Sequence, residues 1–104
     1  MIDTFASINI LTMELKQLEK IAKALGDINR LKILEDMSGR GGSIQCSQIM
    51  NLIELAQPSV SHHIKTLTEA GLIDPEKEGR SHKYILNKAM LKEYAKDIAV
   101  FAAK

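Results

Sequence analysis

The chain has 104 residues, 45% hydrophobic and 26% charged, which excludes a disordered polypeptide and fits one domain, residues 1–104, with a single modest core. The formal charge of +1 neither demands nor forbids a nucleic-acid partner, so the placement of individual charges has to decide. One cysteine rules out an internal disulfide framework, no window approaches the roughly 20 apolar residues of a membrane span, and the opening MIDTFASINILT lacks the basic start and apolar run of a signal peptide, so a cytoplasmic location is expected.

Leu15, Leu18, Ala22 and Leu25 recur at helical spacing with Glu14, Lys16, Glu19, Lys20 and Lys23 between them, which predicts a first amphipathic helix. Gly26 is expected to close it in the left-handed conformation. Asp27 is then placed to cap a second helix, whose apolar positions are Ile28, Leu31, Leu34 and Met37. SGRGGS, residues 38–43, breaks the pattern because glycine supplies backbone freedom that helices do not use. Ser43 is expected to cap a third helix that buries Ile44, Ile49, Leu52 and Ile53.

The segment AQPSVSHHIKTLTEAGLI, residues 56–73, follows after a few residues and is unusual for its serines, threonines and paired histidines. Pro58 suits a first helical turn, where a missing N–H costs nothing, and leaves Gln57 as a mediocre cap. At about 100° per residue, Val60, Ile64, Leu67 and Gly71 share a narrow arc that must face a core. Ser59, Ser61, His62, Lys65, Thr66 and Glu69 lie opposite, and His63 lies beside the arc. The period then shortens: IDPEKEGRSHKYILN has turn formers at Pro75 and Gly79, which predicts a two-stranded hairpin with its tip at Lys77 to Arg80. Asn87 caps a last helix with Leu91, Tyr94, Ala95, Ile98, Phe101 and Ala102 as its stripe. A terminal helix so apolar implies a partner.

The order helix-helix-helix-helix-strand-strand-helix describes a mainly α fold with a small β-hairpin, a winged helix-turn-helix, in which the second helix of the turn motif enters the DNA major groove. Small hydroxyls on that helix fit this role, since the groove is only about 12 Å wide. Adjacent residues on a helix diverge by about 100°, so His62 and His63 are poor candidates for one metal ion. His62 is read as solvated or DNA-facing, and His63 as a boundary side chain bonded to its surroundings. Cys46 is read as a packed small side chain, with no second thiol in the chain to resolve an oxidised form. No nucleophile with a base at a recognisable spacing and no phosphate loop is present, so an enzyme is not expected and no cofactor is implied.

AKALGDINRLKIL, PSVSHHIKTLTEAGLI and EGRSHKYILN, taken in order and spacing, resemble the successive signatures of the ArsR/SmtB family of small bacterial winged-helix repressors. The resemblance runs from about Leu15 to Asn87. It implies a homodimer packed through the first and last helices, with Leu15, Leu18, Leu91, Tyr94, Ile98 and Phe101 as candidate interface residues. Such a dimer binds a palindromic operator in double-stranded DNA and leaves it when an inducer arrives. By the same resemblance Ser59, Ser61, His62 and Lys65 match DNA-facing positions, and Arg80 matches a wing residue that reaches a minor groove. Asn29 and Arg30 match the start of the second helix, where Arg30 is open between a phosphate contact and its own fold.

The family's metal sensors carry a cysteine pair on the third helix. Here Gln45 and Ser47 stand in those places, with Cys46 between them, and residues 88–104 contain no histidine for the second kind of family site, so no metal is expected. The inducer is left open between a small molecule, oxidation of Cys46 between subunits, and none.

Charge sets a condition on the DNA reading. Lys65, Lys77, Arg80 and Lys83 are balanced between Gln57 and Asn87 by Glu69, Asp74, Glu76 and Glu78. A DNA surface should be basic. Lys65, Arg80 and Lys83 therefore have to gather on one face, with help from Arg30 and Lys32. The competing expectation is a winged-helix module that uses the same surfaces to hold a protein.

Overall fold

The computed structural model describes residues 10–54, 56–79 and 81–103. Among them the elements are α1 (Leu15–Leu25), α2 (Ile28–Gly39), β1 (Ser43–Gln45), α3 (Cys46–Leu52), α4 (Gln57–Glu69), β2 (Ile73–Glu78), β3 (Ser81–Leu86) and α5 (Lys88–Val100). This is the winged-helix arrangement, with one strand more than the sequence pattern predicts. Ser43 does not cap a helix. It opens β1, which pairs antiparallel with β3 in the register Ser43↔Ile85, Ile44↔Tyr84 and Gln45↔Lys83. α3 starts two residues later than expected, and the Gln48 Oε1 accepts the Gln45 N–H at 2.9 Å.

The strand order is β1-β3-β2, with Ile73 opposite Leu86 and Glu78 opposite Ser81 in the hairpin. Gly79 takes φ 60° in the connecting turn, a left-handed conformation open to glycine without steric cost.

The core joins all the helices to the sheet's inner side. Ile21, Ile33, Met37, Ile44, Ile49, Leu67, Leu72 and Ile73 are fully buried. Two helices turn to different arcs from those read in the sequence. α1 buries Leu18, Ile21 and Ala24, while Leu15 and Ala22 are exposed; α2 buries Ile33, Leu34 and Met37, while Ile28 and Leu31 are exposed. Gly26 is not left-handed (φ −85°), because α1 ends in a tight turn in which its N–H reaches the Lys23 carbonyl at 3.2 Å.

Asp27 caps α2 as expected: its carboxylate accepts the N–H groups of Asn29 and Arg30 at 2.8 and 3.3 Å. Asn87 caps α5 by accepting the Met90 N–H at 3.0 Å. Asn87→Ala leaves that donor without its partner and is expected to lower stability by about 1 kcal/mol, whereas Asn87→Gly costs only a few tenths. Thermal melts of the two variants side by side check this, and equal midpoints would mean the side chain is not the cap.

α4 stops in a Schellman turn, with Leu72 N–H on the Leu67 carbonyl and Gly71 N–H on the Thr68 carbonyl, both at 3.0 Å. Gly71 has φ 78°, and a Cβ there would stand 3.1 Å from the Met90 methyl on α5. The glycine therefore sets how closely the end of α4 approaches the last helix.

Candidate nucleic-acid interface

α4 is held by one side only. Val60 and Leu67 are 1% and 0% exposed and His63 is 8% exposed, with Ile64 partly buried beside them. Ser59, Ser61, His62, Lys65 and Glu69 are exposed along the other side. Thr66 is half-buried at the margin rather than fully outward. The helix begins one residue earlier than expected: Ala56 is the N-cap, it offers no side-chain acceptor, and Gln57 is already helical with Pro58 in the first turn. The outward face thus carries two hydroxyls, one imidazole, one ammonium and the Glu69 carboxylate on a rod fixed by its opposite flank.

The wing contributes less free charge than its composition suggests. Lys83 is partly buried, and its Nζ lies 3.5 Å from Glu76 Oε1 across the hairpin. Asp74, Glu76 and Lys77 are exposed on β2. Arg80, the expected minor-groove residue, lies outside the described residues.

Arg30 binds its own fold. Its guanidinium donates to the carbonyls of Ala24 (2.7 Å) and Lys23 (3.1 Å) at the end of α1 and to His63 Nδ1 (3.0 Å) on α4. It is therefore withdrawn from the set of cations expected to face phosphate, whereas Lys32 is exposed on α2. Partial burial pushes the Asp27 carboxyl up, but the N–H donors of Arg30 and Asn29 and the adjacent His63 and Arg30 outweigh this, holding it below the usual carboxylate value.

The candidate interface residues divide into three groups. Leu18 is 5% exposed and belongs to the subunit's own core, so it is unavailable to a partner chain. Leu91 and Tyr94 are partly buried against that core. Leu15, Ile98 and Phe101 are 66%, 39% and 63% exposed, and Ile10, which the periodicity did not reveal, is 63% exposed.

Asp97, on the same helix, was also not foreseen. It is fully buried, and it accepts the Thr12 N–H and hydroxyl at 2.9 Å and the Met13 N–H at 2.8 Å. Burial raises its pKa, but those three donors outweigh the effect and the net shift is downward. This carboxylate clasps the segment before α1 onto α5.

Gln45 and Ser47, at the positions of the sensor cysteine pair, are exposed around a half-buried Cys46 at the start of α3. Burial pushes the nearby Tyr84 phenol up, and Cys46 adds to the rise. Among the described residues no three histidine, cysteine or carboxylate groups cluster, and no helix is long and apolar enough to cross a membrane.

Comparison with known proteins places this geometry. The family model described as "Bacterial regulatory protein, arsR family" matches residues 27–74, from the Asp27 cap to the first residues of β2. The arsenical resistance operon repressor of Staphylococcus aureus is 33% identical over 88 residues, which cover 85% of this chain and 83% of that protein. The transcriptional repressor SdpR of Bacillus subtilis is 30% identical over 76 residues, 73% of this chain and 82% of that one. An ArsR-like transcriptional regulator from Rhodococcus sp. RHA1 superimposes with a TM-score of 0.74 at 25% identity, covering 86% of this chain and 82% of that chain. The exposed polar face of α4, the wing beside it and these likenesses lead to one conclusion: the chain belongs to the ArsR family of bacterial regulatory proteins and is a DNA-binding transcriptional regulator, not an enzyme.

Proposed function

We propose that the chain acts in the cytoplasm as a homodimeric repressor that lays α4 of each subunit into successive major grooves of a palindromic operator. Reading helices about 34 Å apart would match one turn of duplex. Ser59, Ser61 and His62 face base edges, Lys65 and Thr66 face the backbone, and Arg80 and Lys83 serve the wing. The observation that carries this is the division of α4 into a buried flank, Val60 and Leu67, and an exposed flank of small polar groups. A protein-binding helix would be expected to expose larger apolar anchors.

The signal that releases the operator is inferred to differ from that of a thiolate-pair sensor. The Staphylococcus relative is named for arsenical resistance, whereas one cysteine per chain cannot supply a thiolate pair within a subunit. A small-molecule inducer is the reading retained.

Lys65 is the exposed α4 cation, so Lys65→Ala is expected to weaken binding to specific and random DNA alike. The slope of log affinity against log salt should become shallower by about 0.9 for each phosphate that is no longer neutralised. His62→Ala should instead reduce discrimination between operator and random duplex. Mobility-shift titrations at several salt concentrations read both, with Arg80→Ala as the wing control. Unchanged binding in all three variants would remove α4 and the wing as the DNA-reading surface.

A further inference from the structure

The contact between Arg30 and His63 joins three elements at one point. Two edges of the guanidinium are fixed on the carbonyls that end α1, and the third meets His63 Nδ1 at 3.0 Å. A guanidinium can only donate, so Nδ1 accepts with its lone pair and the ring proton of a neutral His63 belongs on Nε2. The same Nδ1 lies 4.0 Å from Asp27 Oδ1, which is already engaged as the cap of α2.

Charged and titratable groups reach this ring from few directions. Asp27 approaches from the turn before α2, Arg30 from α2 itself, and His62 stands beside it on α4 with ring centroids 6.0 Å apart. The end of α1 contributes backbone carbonyls that hold Arg30. Among the described residues, neither α3 nor β2 brings an ion-paired or hydrogen-bonded charge to the ring.

We propose that His63 is a positioning residue for DNA recognition: its Nδ1, held by Arg30, fixes the roll of α4 against α1 and α2 and so aims the exposed face of that helix at the operator. This rests on the operator reading of α4 given above. Without an acceptor at this position the Arg30 N–H has no partner on α4, and α4 loses its hydrogen bond to α2. His62 is the adjacent residue on the same helix, so a roll that moves one ring re-aims the other.

His63→Asn and His63→Leu separate this from a purely structural role. The asparagine Oδ1 offers Arg30 an acceptor that does not titrate, and leucine offers none. Nitrogen-15 spectra of wild type are expected to show the Nε2–H tautomer, with Nδ1 as the acceptor. In mobility shifts, His63→Asn should match wild type in operator affinity because its Oδ1 restores the acceptor, whereas His63→Leu should bind operator about tenfold more weakly, the order expected for one hydrogen bond to a charged donor. If the leucine variant does not fold, the tautomer and the asparagine-to-wild-type ratio decide. An Nδ1–H tautomer in wild type, or equal operator affinity in the asparagine and leucine variants, would overturn the proposal. Should wild type retain no DNA, the operator reading fails, and the tautomer still decides whether Nδ1 accepts from Arg30.

Discussion

Replacing Ile98 and Phe101 together by aspartate is expected to yield a folded monomer whose operator affinity is lower by roughly 10²–10⁴-fold. Both side chains are exposed in the isolated subunit, at 39% and 63%, so the fold does not depend on them. In the proposed dimer the partner subunit would cover them. Full burial of side chains of this size contributes about 1.5–3 kcal/mol each, and a carboxylate in their place would carry an unpaired charge into the interface. The effect on DNA binding is larger than any single pair of side chains could produce. A dimer presents its second α4 at a high effective concentration once the first has bound, and a monomer forfeits that advantage, which is typically about 10²–10⁴-fold. Light scattering gives the oligomeric state, circular dichroism the fold, and titration with full and half operators the affinity. A variant that stays dimeric, or a wild type that is monomeric at micromolar concentration, would place the pairing surface elsewhere.

Leu67→Ala should act through stability rather than through assembly. Leu67 is 0% exposed on the buried flank of α4, near the end of the helix. Truncating such a leucine removes its transfer energy and leaves a cavity, for about 2–5 kcal/mol in all. Domains of this size have only about 5–15 kcal/mol to lose, so the thermal midpoint should fall by at least about 8 °C. Lys65 lies two residues earlier on the exposed flank, and Lys65→Ala should change stability by no more than about 0.5 kcal/mol. Melting curves of the pair test the division of α4 into anchor and reading face. A mild Leu67→Ala would mean that this flank does not hold α4 to the core.

The sequence pattern served α4 and the start of α5 well because each carries a local signal, one apolar arc on the first and a capping side chain on the second. Val60 and Leu67 are buried on α4, and Asn87 accepts the Met90 N–H at the start of α5. It served α1 and α2 less well, for a physical reason. Leu15, Leu18, Ala22 and Leu25 satisfy helical spacing, and so do Leu18, Ile21, Ala24 and Leu25. The chain carries two apolar arcs on α1, and periodicity alone cannot say which faces the subunit's own core. Ile28 and Leu31 misled in the same way on α2, whose buried side is built on Ile33, Leu34 and Met37.

β1 escaped notice because three residues are too few to display a period of two, and it exists as a strand through its pairing with β3. The partners of Arg30, His63 and Asp97 were not legible either. The Arg30–His63 bond spans 33 positions, and the Asp97 contacts reach back 84 and 85. No local spacing encodes them. The polar side of α4 was legible because exposure there follows from what its opposite arc must bury.

The strand order β1-β3-β2 decides how copies of this molecule can meet without misassembling. β3 pairs with β2 along its whole length and with β1 over Lys83 to Ile85, and β1 is only three residues long. Among the described residues, the outer margin of β2 offers the longest row of backbone groups to a foreign strand. That margin carries Pro75, which has no N–H to donate, between the exposed charges of Asp74, Glu76 and Lys77. Proline and alternating charge along an outer strand discourage edge-to-edge growth of a sheet. The wing can therefore stay bare between encounters with DNA without seeding fibrous aggregates.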